Sequence, residues 1–235
     1  MTMTARHIGI VACSAPGAAL CYETICSEAP RLMGRYAHPE VSLHGFNFAD
    51  HVRLIEAGDW EGVARLMLRS VHKLDSLGAS FAICPDNTAH QALGLVLPES
   101  PIPWLHIADA VVDEAKRRGA SRLAVLGTRY LMEGPVYAEK LDAAGLEWRV
   151  PGAAERERIN RIIFEELVCG RVTESAREEA CAIIDCLRRD ERCDAVVLGC
   201  TELPLLVTPE RSPLPTLDST RLLARAAVEH ALSAE

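Results

Sequence analysis

The chain has no apolar run approaching the roughly 20 residues a bilayer span requires, and its first residues carry no basic stretch followed by an apolar core. A membrane partner and a secretory route are not expected, and the cytoplasm is the expected compartment. Positive charge is scarce: 25 Lys and Arg stand against 33 Asp and Glu, a net charge of −8. Proteins whose work is neutralising phosphates carry clustered cations, so nucleic acid is not the expected partner. The nine cysteines include no CxxC pair, and the histidines form no HExxH. This spacing in a reducing cytosol favours neither a disulfide framework nor a metal centre. Most of the thiols should be small buried hydrophobes. No GxGxxG or Walker motif occurs, and Gly127-Thr128 is too short of glycine for a phosphate loop. A nucleotide cofactor is not implied.

What is present is a globular chain of 235 residues, 49% hydrophobic and 25% charged, long enough for one large domain or two of about 110 residues. His7 to Ala12 reads as a buried strand, followed by a loop at Ser14 and a helix over 18–28. Val41 to Phe46 is a second strand. A helix over 59–77 carries Val63, Leu66, Met67, Val71 and Leu74 at helical spacing and stops at Gly78. A third strand runs from Ala79 to Cys84. Pro103 to Ile107 reads as strand and 108–118 as helix, then Arg122 to Thr128 as strand entering a loop, with a helix over 134–144. Leu146 to Val150 is a further strand. Helices are expected over 155–167, 174–189 and 219–232, with strands at 195–198 and 214–217.

Strands alternating with helices predict parallel sheets covered on both faces. Strands ending near Ser14 and Asp86 are echoed by strands ending at Thr128 and Cys200, so two similar lobes are expected. The first lobe spans 1–112, joined by a C-terminal helix at about 218–235, and the second spans 113–217. Ligands bind beyond the C-terminal ends of such strands, which predicts an active site in a cleft between lobes.

Two short polar segments break out of apolar runs at these strand ends. The first is Cys84-Pro85-Asp86-Asn87-Thr88-Ala89-His90, and the second is Gly199-Cys200-Thr201-Glu202. A buried cysteine is the ordinary reading of a thiol, yet a mere turn has no need of one among Gly, Thr and Glu. Beside a helix N-terminus a thiol's pKa falls, which makes Cys200 the leading catalytic candidate. Asp86 can be a simple cap or turn residue, but its place with Asn87, Thr88 and His90 at the mouth of a buried strand favours a site. Cys84, alternating with Asp86 along the strand, is a weaker thiol candidate. Ser14 and Thr128 are hydroxyls at loop starts, where the ordinary reading is an N-cap and the functional one is carboxylate binding. His44, His90 and His106 have no metal spacing and read as structural.

These residues resemble the aspartate/glutamate racemase superfamily. The likeness covers nearly the whole chain: Asn87-Thr88-Ala89-His90, Leu105-His106-Ile107-Ala108-Asp109, Leu126-Gly127-Thr128 with Met132-Glu133-Gly134 and Tyr137, Ile159 to Leu167, Gly199 to Glu202, and Leu217 to Thr220. The resemblance implies a cofactor-independent isomerase in which two acid/base groups face opposite sides of a substrate α-carbon. It also implies a homodimer and a small-molecule substrate, an amino acid or small carboxylic acid, with aspartate or glutamate as the default. By position Cys200 matches the second group, while Asp86 stands where the family carries its first cysteine. Asn87, Thr88 and Thr201 match positions that hold the α-carboxylate, and Ser14 and Thr128 lie in loops that line the pocket.

An aspartate, with an unperturbed pKa of about 3.9, is a poorer base than a thiolate of about 8.5. Burial and the substrate's own carboxylate would have to raise it. An unlike Asp86–Cys200 pair is expected to make the two directions unequal in rate. Other departures bear on substrate: Cys169 occupies a position where a cation is common, with Arg171 close; Leu131 stands where threonine is common; and Arg53 is a substitute cation. The alternatives are a single-cysteine enzyme, such as a cofactor-free decarboxylase or isomerase of a small dicarboxylic acid, and a non-catalytic small-acid binding protein.

Overall fold

The computed structural model describes residues 5–233 and divides into two compact α/β units. Unit 1 comprises the described residues up to 107 with those from 220 onward, and unit 2 comprises 108–219. Each unit holds its own parallel sheet. In unit 1 the order is β2-β1-β3, formed by β1 (Ile8–Ala12), β2 (Val41–Gly45) and β3 (Phe81–Ile83). In unit 2 the order is β5-β4-β6-β7, formed by β4 (Arg122–Gly127), β5 (Glu147–Arg149), β6 (Ala195–Gly199) and β7 (Thr216–Asp218).

The central strands are apolar, Arg122 at the start of β4 apart, because both faces are covered, as parallel sheets demand. In unit 1 one face of β1 carries Ile8, Ile10 and Ala12, which pack with Ala18, Cys21 and Ile25 of the helix Ala15–Glu28. Leu223, Ala224, Ala227, Val228 and Ala231 of the C-terminal helix Ser219–Leu232 complete that layer. The other face carries Val11 against Val63, Met67, Val71 and Leu74 of the helix Trp60–Ser76. Asp59 starts that helix by accepting the Gly62 N–H at 2.7 Å. Gly78, at φ +86°, ends it in a conformation that favours glycine. In unit 2 the helix Glu174–Arg189 presents Ala176, Ala180, Ile183, Ile184 and Leu187 to Ala124, Leu126, Val196 and Leu198. Thr173 caps it through the Ala176 N–H.

Besides several one-turn helices, three larger departures from the sequence-based expectation occur. The strand over 103–107 shrinks to a single parallel bridge, Ala82 with Trp104, closed by Ala82 N–H to Pro103 O at 2.8 Å and Leu105 N–H to Ala82 O at 3.1 Å. Pro101 and Pro103 have no N–H, so the ladder stops there. The helix over 155–167 divides into Ala153–Arg161 and a π-helical segment, Ile162–Leu167. Here the Val168 N–H reaches back five residues to Ile163 O at 2.9 Å, a register that keeps Ile162, Ile163 and Leu167 buried. Finally, helix Phe48–Glu56 follows β2, where no helix was expected. Among the described residues no helix is long and apolar enough to cross a membrane.

Candidate active site

Asp86, Asn87 and Thr88 follow the C-terminal end of β3. β3 stops at Ile83, so Cys84 and Asp86 do not share a strand face; the chain turns at Pro85 into a 3-10 segment, Thr88–Ala92. Asp86 Oδ1 accepts the Ala89 N–H at 2.9 Å, so the capping role is real. The Asp86 carbonyl takes a hydrogen bond from His90 Nδ1 at 2.8 Å. His90 N–H bonds the Asn87 carbonyl at 3.2 Å, closing the turn a third time. Asn87 and Thr88 are buried within it.

Cys84 meets the thiol of Cys13. Its sulfur lies 3.8 Å from Cys13 Sγ, and both side chains are buried. The bond to Cys84 pushes the Cys13 thiol well up, helped by burial and by the charges of Cys84 and Asp86. Cys13 therefore stays protonated. Next to it Ser14 caps the helix Ala15–Glu28 by accepting the Gly17 N–H at 3.3 Å.

In unit 2 the strand ends are built on two glycines in register, Gly127 of β4 and Gly199 of β6. A Cβ on Gly127 would lie 2.6 Å from Leu131 Cδ2 and 3.0 Å from the Gly199 carbonyl oxygen. One on Gly199 would lie 2.9 Å from the Leu126 carbonyl oxygen. Only glycine lets the buried Leu131 side chain lie across both strands, and Thr128 and Cys200 follow immediately. Thr128 caps its turn by accepting the Leu131 N–H at 3.2 Å.

Cys200 is half-buried and donates its S–H to Glu202 Oε2 at 3.0 Å. Thr201 Oγ1 donates to the same oxygen at 2.7 Å. Glu202 is only 5% exposed, so this carboxylate is held in place by two side chains. The helix that follows, Leu203–Leu206, is a single turn. It is too short for the helix-dipole effect expected of it, and the thiol donates instead to a carboxylate. Sequence alone assigns Glu202 no role, although its spacing of two from the thiol is legible. Behind β6, Ser219 Oγ donates to the Leu198 carbonyl at 2.9 Å. Ser219 also bonds the buried Tyr137 hydroxyl, whose pKa burial pushes far up.

The cations considered for substrate recognition are exposed and engaged. Arg53 lies 3.9 Å from Asp50, and Arg171 donates to the Glu165 carbonyl. Cys169 is exposed with its sulfur 3.8 Å from Phe164 O. Among the described residues, no group of three His, Cys, Asp or Glu side chains is placed to hold a metal. One residue had no signal in the sequence: His51, 1% exposed on the helix Phe48–Glu56, has no hydrogen-bond partner for either ring nitrogen. Burial, opposed by Asp50, pushes its pKa down.

Two parallel α/β units whose strand ends present a thiol, carboxylates and hydroxyls define the class of this protein. The sequence model of the Asp/Glu/hydantoin racemase family matches residues 8–227. The solved structure of an aspartate racemase homologue from Pyrococcus horikoshii OT3 is 30% identical, with a TM-score of 0.84 over 97% of this chain and 100% of that one. The aspartate racemase of Picrophilus torridus, at 21% identity, has the same fold: TM-score 0.77 over 96% of this chain and 94% of that one. The broad specificity amino-acid racemase RacX of Bacillus subtilis is 22% identical over 172 residues, 72% of this chain and 73% of RacX. The chain belongs to the Asp/Glu/hydantoin racemase family, a family of isomerases.

Proposed function

We propose that this protein racemises or epimerises an amino acid without a cofactor, Asp86 and Cys200 exchanging the α-proton on opposite faces of the substrate. The observation that carries this reading is the Cys200 thiol at the end of β6, 3.0 Å from the buried carboxylate of Glu202. A thiol held by an acceptor has a fixed direction, and its proton has somewhere to go when the thiolate is needed. Asn87, Thr88, Thr201, Ser14 and Thr128 supply amide and hydroxyl groups for the α-carboxylate. An α-carbon is a weak acid, so this clamp must stabilise developing charge while water is excluded. Glu202 orients Cys200 and is a positioning residue.

Enantiomers have equal free energy, so kcat/KM must be the same in both directions whatever the two groups are. An unlike pair therefore shows itself in kcat and KM taken separately, and in solvent exchange without inversion.

A second reading draws on the Asp86 carboxylate accepting the Ala89 N–H. If capping is its whole role, Cys200 acts alone, protonating the enediolate left when a small dicarboxylic acid loses carbon dioxide. One experiment separates the two. The L and D forms of the chiral protein amino acids, and a series of substituted malonates, are incubated with the protein in deuterated water. The racemase reading expects α-deuterium in an amino acid, with the rate falling about 10²- to 10⁴-fold in Cys200→Ala. Carbon dioxide from a malonate without amino-acid exchange favours the second reading. Undiminished turnover in Cys200→Ala overturns both.

A further inference from the structure

His90 is bonded on both sides of its ring. Its Nε2 lies 3.2 Å from the backbone N–H of Ile107, the first residue of the helix Ile107–Arg117. A backbone N–H can only donate, so Nε2 is the acceptor and carries no proton. The ring proton is then on Nδ1, which donates to the Asp86 carbonyl at 2.8 Å. Few positions fix a tautomer so fully: the ring is 4% exposed and stacks edge-on against His106, centroids 4.7 Å apart. The Ile107 N–H is one of the orphan donors of a helix start, and burying it unpaired would be costly.

Asp86 is tied at two points in this network, through its carbonyl to His90 and through Oδ1 to Ala89 N–H. Together the two bonds fix the backbone of the turn at Asp86 and hold Oδ1 against it. We infer that His90, neutral and protonated on Nδ1, is the positioning residue for Asp86, setting the base through its backbone while anchoring itself on the start of the helix Ile107–Arg117. The inference rests on the reading of Asp86 as an acid/base group.

The two ring contacts can be removed one at a time. His90→Asn places an amide N–H near the Nδ1 position and keeps the bond to the Asp86 carbonyl, losing the acceptor for Ile107. His90→Gln places an amide oxygen near Nε2 and keeps the Ile107 bond, losing the hold on Asp86. With the amino acid of the panel that exchanges fastest, His90→Gln is expected to lower kcat about 10- to 100-fold, whereas His90→Asn keeps the greater part of kcat and shows its loss as a lower thermal midpoint, because the Ile107 N–H is left unpaired. The loss has a side: deuterium incorporated with retention falls for the enantiomer that Asp86 deprotonates and holds for the one that Cys200 deprotonates. Equal losses in both variants, or equal losses for both enantiomers, would reduce His90 to a structural strut and overturn the inference. An activity-independent check is the ¹⁵N spectrum of the wild-type ring. Pyridine-type Nε2 and pyrrole-type Nδ1 support the inference, and the reverse overturns it. If no amino acid exchanges with the wild-type protein, the racemase reading itself falls, and the positioning role with it.

Discussion

The turns after β3 and β6 use the same kinds of group for opposite jobs. After β3 the carboxylate of Asp86 accepts a backbone amide, and the neighbouring thiols of Cys84 and Cys13 are buried against each other 3.8 Å apart. After β6 the thiol of Cys200 is half-buried, and the carboxylate of Glu202 is buried and receives it at 3.0 Å. In one turn the acid shapes the backbone and the sulfurs fill the core. In the other the acid aims the sulfur. The lesson is that a thiol two residues before an acid is not a chemical motif by itself; which of the two is buried decides which can meet a substrate.

The largest test of this contrast is Asp86→Asn. An asparagine oxygen still accepts the Ala89 N–H, so the cap survives while the proposed base is lost. Exchange should fall about 10²- to 10⁴-fold with thermal stability nearly unchanged. Asp86→Ala should add a loss of about 1 kcal/mol, the ordinary worth of a cap. If Asp86→Asn kept full exchange, the carboxylate would be a cap alone and the asymmetry between the turns would be complete.

Glu202→Gln comes next. The amide oxygen still accepts from Cys200 and Thr201 but without charge, and a charged acceptor is worth about 1.5 kcal/mol more than a neutral one. That difference corresponds to roughly tenfold in kcat, with KM little changed. An effect on KM alone would make Glu202 part of the substrate clamp.

The smallest effect is on stability against pH. Burial lowers the pKa of His51, and burial together with nearby cations lowers those of His44 and His230. The unfolded chain then binds protons that the folded one refuses. Stability is full above the ordinary histidine pKa of about 6.5 and is lost as pH falls below it. A thermal midpoint that declines from pH 7 toward pH 5.5 checks the sign. His51→Leu should flatten part of that slope and raise the midpoint at every pH, since it removes a buried ring with no hydrogen-bond partner. A steeper slope in His51→Leu would show that the ring is stabilising.

Much of this was legible in the chain because it is local. An all-apolar run such as Ala195–Gly199 has no stable place except between two covering layers. The period of Val63, Met67, Val71 and Leu74, bounded by Asp59 and Gly78, reads as one helix buried on one side. The polar segments at Asp86 and Cys200 stood out because buried strands do not otherwise end in acids and thiols. Those statements need only the sequence, since propensity, periodicity and capping act within a few residues. Tertiary structure alone decided which groups meet: Cys13 with Cys84 across 71 residues, the His90 ring with the Ile107 amide, Leu131 lying over Gly127 and Gly199. It also decided that Asp86 is tied at two points and that Glu202 is buried. The reason is that a side chain's residue type fixes what it can donate or accept, whereas its partner and its access to water are set by neighbours that the chain brings together only on folding.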